Sequence, residues 1–88
     1  MKKIRLESGL NIEVHDEVTN DYRFFKSLAE VNNDGNIFAL YQALGRLLDP
    51  AEQEKLEKHF EKDGMVPMNK VMEAIAEILT KLGAEGKN

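Results

Sequence analysis

Lys3-Ile4-Arg5-Leu6-Glu7-Ser8-Gly9-Leu10-Asn11-Ile12-Glu13-Val14-His15 alternates apolar and polar side chains on either side of a Ser-Gly break. Period-two alternation interrupted by turn residues reads as a β-hairpin with one apolar face. If Ser8, Gly9 and Leu10 form the loop, Leu6 lies opposite Ile12 and Ile4 opposite Val14, and Arg5 can pair with Glu13 across the polar face. A two-residue turn would set Leu6 against Asn11 and mix the faces. Two strands alone are marginal in water, so helices from the rest of the chain are needed to cover the apolar face.

Thr19 or Asn20 is placed to cap a helix running to about Asn32, with Phe24, Leu28 and Val31 on one stripe and Phe25 and Ala29 beside it. Asn32-Asn33-Asp34-Gly35 then breaks the chain, and Asn36 caps a second helix. Its stripe of Ile37, Leu40, Tyr41, Leu44, Leu47 and Leu48 is wide enough to predict deep burial. Asp49-Pro50-Ala51-Glu52 reads as a capping box with Pro at the first helical position. The helix that follows, to about Lys62, carries only Ala51, Leu56 and Phe60 as apolar residues and belongs at the edge. Asp63-Gly64 ends it, and Met65-Val66 is extended because Val66 precedes Pro67. A last helix runs from about Pro67 or Met68 to Leu82, its stripe formed by Val71, Met72, Ile75, Ile78, Leu79 and Leu82. Gly83 is read as its stop, and 84–88 as a flexible tail. The expectation is an α+β fold: an N-terminal hairpin packed on about four helices, with residues 1–83 as a single domain.

Eighty-eight residues, 42% hydrophobic and 32% charged, suit one small globular core. A net charge of −4 lacks the clustered cation excess that a phosphate backbone demands, so nucleic acid is not an expected partner. The chain has no cysteine, hence no disulfide framework and no thiolate metal site, which favours the cytoplasm. The basic start, Met1 to Arg5, leads into alternation instead of a signal peptide's apolar core, and no apolar run nears the ~20 residues that span a bilayer.

The chemistry-bearing patterns are weak. Glu30 to Tyr41 imitates a calcium loop through Asn32, Asp34, Gly35 and Ile37, but Tyr41 stands where a bidentate Glu must close the shell. The Asp63-Gly64 stretch fails likewise at Lys70. His15 and His59 sit on different elements with no partner spacing for zinc, so solvated or structural roles are expected. Ser8 and Ser27 lie in no nucleophile elbow, and the glycines form no phosphate-cradling loop. Lys2, Lys3 and Arg5 have no interleaved aromatics and read as a solvated strand face. No catalytic residue, cofactor or metal is therefore expected, and most of the aromatic and aliphatic residues should fill the core. Any apolar helix surface left over would mark a protein-binding site.

Taken in order, the hairpin, the Phe24-Phe25 helix, the Asn/Asp-Gly break, the Leu-rich helix, and Phe60 followed by Asp63-Gly64-Met65-Val66-Pro67 and an Ile/Leu helix ending at Leu82-Gly83 resemble the small tail assembly chaperones of siphophages and related prophages. The likeness spans nearly the whole chain and is most distinctive from Phe60 to Ile78. It implies a non-enzymatic protein of the bacterial cytoplasm, absent from the mature virion. Such a protein would bind the tape measure protein until tail-tube protein polymerises around it. It further implies a longer frameshifted product, for which Gly86-Lys87-Asn88 admits a slippery codon run. Under this reading Phe24, Phe25, Val71, Ile75, Ile78 and Leu82 contribute to binding a partner or a second copy. A small adaptor or regulator of one folded partner is the alternative, and gene neighbourhood separates the two.

Overall fold

A computed structural model describes residues 1–86, with side chains as far as Gly83. Strands β1 (Lys2–Arg5) and β2 (Asn11–Val14) form an antiparallel hairpin. Helices α1 (Tyr22–Asp34), α2 (Ile37–Leu47), α3 (Pro50–Phe60) and α4 (Met68–Gly86) follow, giving the expected α+β arrangement.

The hairpin register differs from expectation. Ile4 faces Ile12, Lys2 faces Val14, Lys3 faces Glu13 and Arg5 faces Asn11, so the anticipated Arg5–Glu13 cross-strand pair is replaced. Leu6 N–H donates to Leu10 O at 2.8 Å and Gly9 N–H to Leu6 O at 2.8 Å, so the loop is Glu7-Ser8-Gly9. The cause is Gly9, whose φ of +99° suits the third position of a three-residue hairpin loop. Fixing glycine there slides the pairing by two residues. An even slip preserves side-chain parity, and Ile4, Leu6, Ile12 and Val14 all remain buried on one face.

Between hairpin and α1, Asp16–Asn20 forms a 3₁₀ turn pinned by buried Val18. The cap of α1 is therefore Asp21, not Thr19 or Asn20. Its Oδ1 accepts from the N–H of Arg23 at 2.9 Å and of Phe24 at 3.4 Å. Gly35, at φ +64°, closes α1 through its N–H to Val31 O, and Asn36 Oδ1 accepts the Phe38 N–H to start α2. The stretch that imitates a calcium loop is thus a helix end and a helix cap.

The stripe of α2 is split instead of uniformly buried. Leu40, Leu47 and Leu48 reach the core, Leu44 packs against it, and Ala39 and Ala43 are sealed, whereas Ile37 and Tyr41 stay exposed. Of all the elements, α1 and α2 make the closest pair. Ala39 and Ala43 are sealed on one flank of α2, and the Ile37–Tyr41 edge on another faces water.

Pro50 opens α3 as expected, but no capping box forms: the Asp49 side chain makes no cap bond and Glu52 turns to the hairpin. After Phe60 the chain makes a tight turn in which Lys62 and Met65 exchange both backbone hydrogen bonds. Asp63 and Gly64 take positive φ of 53° and 78°, the conformation for which Asp-Gly is suited. Helix α4 does not stop at Gly83 but continues to Gly86. Of the tail expected at 84–88, residues 87 and 88 lie outside the described residues. Among the described residues no helix is long and apolar enough to cross a membrane.

Candidate functional site

Five of the six residues expected to meet a partner belong to the core. Phe24 and Ile78 are fully buried, and Val71, Ile75 and Leu82 are each at most 9% exposed. They pack with the hairpin residues and with Leu47, Leu48 and Leu56, which leaves little of them open to another molecule, although Val71 also borders a groove between α2 and α4. The physical reason is the small size of the domain. The four-residue strands leave the apolar faces of α1 and α4 as the main material available to close the core. Phe25 is the exception, 52% exposed and edge-to-face with Phe24 at 5.9 Å between ring centroids.

Besides Tyr22 and Phe25 of α1 and Met1, the exposed large apolar residues lie on α2, on α4 and in the turn before α4. Phe38 and Tyr41 are 77% and 75% exposed, and Ile37, Met65, Met68 and Met72 are all solvent-facing. Ile37, Tyr41 and Leu44 of α2 and Met68 and Val71 of α4 line an open groove of about 270 Å³ whose floor includes Leu56 and Val66. Its single charged lining residue is Glu57 of α3. Helical spacing explains the α2 wall, since residues 37, 41 and 44 follow i, i+4, i+7. The α4 wall comes from Met68 and Val71, one turn apart, and Met72 is exposed on the same helix outside the groove lining. Sequence reasoning placed Ile37, Tyr41 and Met72 on the apolar stripes but could not tell which flank of each stripe would be covered. The cluster of three methionines within residues 65–72 was the available signal, because unbranched thioether side chains recur on adaptable binding surfaces.

The hairpin margins, by contrast, are closed by charged side chains. Glu52 Oε1 accepts the N–H of Glu13 on β2 at 2.8 Å, and Lys81 Nζ donates to Arg5 O at the end of β1. Glu77 Oε2 accepts the Glu7 N–H at 2.7 Å and holds Lys81 at 2.9 Å. The Glu13 N–H bond holds the Glu52 carboxyl below its ordinary range, and the Lys81 ammonium does the same for Glu77. Plugged edges of this kind resist pairing with a foreign strand.

His15 ties the hairpin to the α2–α3 connection. Its N–H donates to Leu47 O at 2.9 Å, its Nε2 lies 2.7 Å from Asp49 Oδ1, and its Nδ1 lies 3.2 Å from Glu17 Oε2. The Asp49 hydrogen bond is the main reason that its pKa is raised above 6.5. His59 Nε2 meets Ser8 Oγ at 3.1 Å and its ring packs edge-on to Phe60. Among the described residues no group of three or more His, Cys, Asp and Glu side chains is gathered as a metal site would need.

Fold and groove together define a small α+β domain with an open apolar cleft between two helices. Comparison with known proteins returns no matching family model, no matching curated protein and no matching solved structure.

Proposed function

We propose that this protein is a non-enzymatic tail assembly chaperone of the siphophage type, acting in the host cytoplasm by binding helical segments of a tape measure protein. The observation that carries the reading is the apolar groove lined by Ile37, Tyr41, Leu44, Met68 and Val71, together with the further exposed apolar residues Phe38, Met65 and Met72 on or next to the same helices. A long apolar helix must be shielded until tail-tube subunits enclose it. The shield must then let go, which favours a shallow apolar contact with a polar rim over a deep interface. The order of segments described above supplies the phage context.

The test is co-expression with a siphophage tape measure protein, from the neighbouring gene if the gene neighbourhood supplies one. Soluble tape measure protein should rise several-fold with the wild-type chain and return to baseline with Tyr41→Asp. An unchanged soluble fraction with the folded wild-type protein would remove the chaperone reading and leave the adaptor alternative.

A further inference from the structure

The charges of α3 are divided between its two flanks. Lys55 lines the cleft under the hairpin strands, and His59 bonds to Ser8 of the hairpin loop. On the opposite flank Glu57 lines the apolar groove, with Glu54 one turn before it and Glu61 at the capping position just past the helix end. Glu54 is neutralised by Lys58 at 3.1 Å, whereas among the described residues Glu57 and Glu61 form no ion pair within 4 Å. The groove therefore has two apolar walls and, on its α3 side, one unpaired carboxylate, Glu57, with Glu61 four residues further on.

We infer that this groove binds an amphipathic α-helix whose apolar stripe is bordered by Lys or Arg, with those cations set against Glu57 and Glu61. This rests on the chaperone reading and specifies the partner chemistry of the same site. Charge complementarity selects the cationic border, since a carboxylate beside an apolar seat attracts a cation and repels an acidic border or an anionic lipid surface. The edges of the hairpin select a helix over a strand. With Glu52 on the Glu13 N–H and Lys81 on Arg5 O, addition of a strand is obstructed, which leaves the helix-in-groove mode. Met68 in the groove wall is an unbranched side chain that can repack around different partner side chains, so the site reads the pattern of a helix and not one sequence.

The test uses two fluorescein-labelled synthetic helices of about 20 residues, long enough to form helix in water. They share one Leu/Ala stripe and differ only in Lys or Glu borders. Fluorescence anisotropy at low salt should show the Lys-bordered peptide binding about tenfold more tightly, the combined effect of two exposed pairs. The preference should shrink at high salt and reverse in the Glu57→Lys, Glu61→Lys double variant. Tyr41→Asp should abolish binding of both peptides and Phe25→Asp neither, with circular dichroism confirming that each variant is folded. Equal affinity for the two borders, or loss of binding through Phe25→Asp in place of Tyr41→Asp, overturns the inference. So does a second copy filling the groove, seen as concentration-dependent sedimentation that Tyr41→Asp abolishes. If the peptides behave as described but the tape measure protein gains no solubility, the groove chemistry stands and the chaperone reading falls. The opposite pair of results retains the chaperone and removes the cationic helix.

Discussion

His15 shows how one side chain can couple three parts of this fold. It ends the hairpin, its backbone is held by Leu47, and its ring bridges Glu17 and Asp49. Those two carboxylates, with Asp49 foremost, favour the imidazolium and raise its pKa above 6.5. A raised folded-state pKa means that protonation binds the native state more tightly, so the contribution is complete below the unfolded value and fades as pH rises through the folded one. The stability gap between wild type and His15→Gln, measured as a urea midpoint, should therefore be widest below the ordinary value of 6.5 and narrow as pH rises above it. A gap that widens with pH would show that the ring acts neutral. Glu52 carries the opposite sign. Its depressed pKa makes its contribution full above the ordinary value of 4.5 and lost as pH falls through the folded one. Glu52→Ala would leave the strand N–H of Glu13 without its partner and should cost about 1–2 kcal/mol near neutral pH. Equilibrium denaturation checks it, with Glu52→Gln as the variant that keeps an acceptor.

Among the elements, α4 gives the sharpest contrast between a stop signal and its outcome. Gly83 follows an apolar stripe at the position where an αL cap is expected, yet the helix passes through it and a Cβ there would meet nothing within 4 Å. Gly83→Ala should consequently stabilise the protein by about 0.5–1 kcal/mol, as alanine does inside an exposed helix. Gly35→Ala has the reverse expectation. At φ +64° it strains the backbone, costing about 1 kcal/mol, and Gly35→Asn should cost less because asparagine tolerates that conformation. Thermal midpoints of the three variants order them. The same pair shows what local sequence carried. Glycine preceded by Asn-Asn-Asp and followed by Asn36 marks a true break, because Asn36 supplies the next cap. Gly83, with no cap after it, is tolerated inside a helix. The hairpin was legible in its parity but not its register, since alternation fixes which side chains share a face while the φ demanded of Gly9 fixes which residues pair. The α1 start was misplaced by the 3₁₀ turn, whose buried Val18 is a tertiary contact that no cap pattern announces.

For the whole molecule, the question is which apolar residues close the core and which remain for another protein. The helical stripes of α2 and α4 were each legible, but a stripe has two flanks. Only packing decides which is covered: Ala39 and Ala43 are sealed on one flank of α2, and Ile37 and Tyr41 are left to water. Candidates drawn from the stripe centres, Ile75 and Ile78 among them, were therefore the residues least available to a partner. Two substitutions of equal chemical violence separate the roles. Ile75 is 4% exposed and belongs to the central cluster, so Ile75→Asp forces a carboxylate into an apolar interior. The cost of several kcal/mol competes with a total stability of roughly 5–10 kcal/mol for a domain of this size. Tyr41, at 75% exposed, should accept Asp within about 0.5 kcal/mol. Circular dichroism and a urea titration should show Ile75→Asp severely destabilised or unfolded, and Tyr41→Asp as cooperative and nearly as stable as wild type while unable to hold an apolar helix. A stable, cooperative Ile75→Asp protein would mean that the face of α4 assigned to the core faces solvent, and with it would go the argument that places the binding surface on the Tyr41–Met68 side.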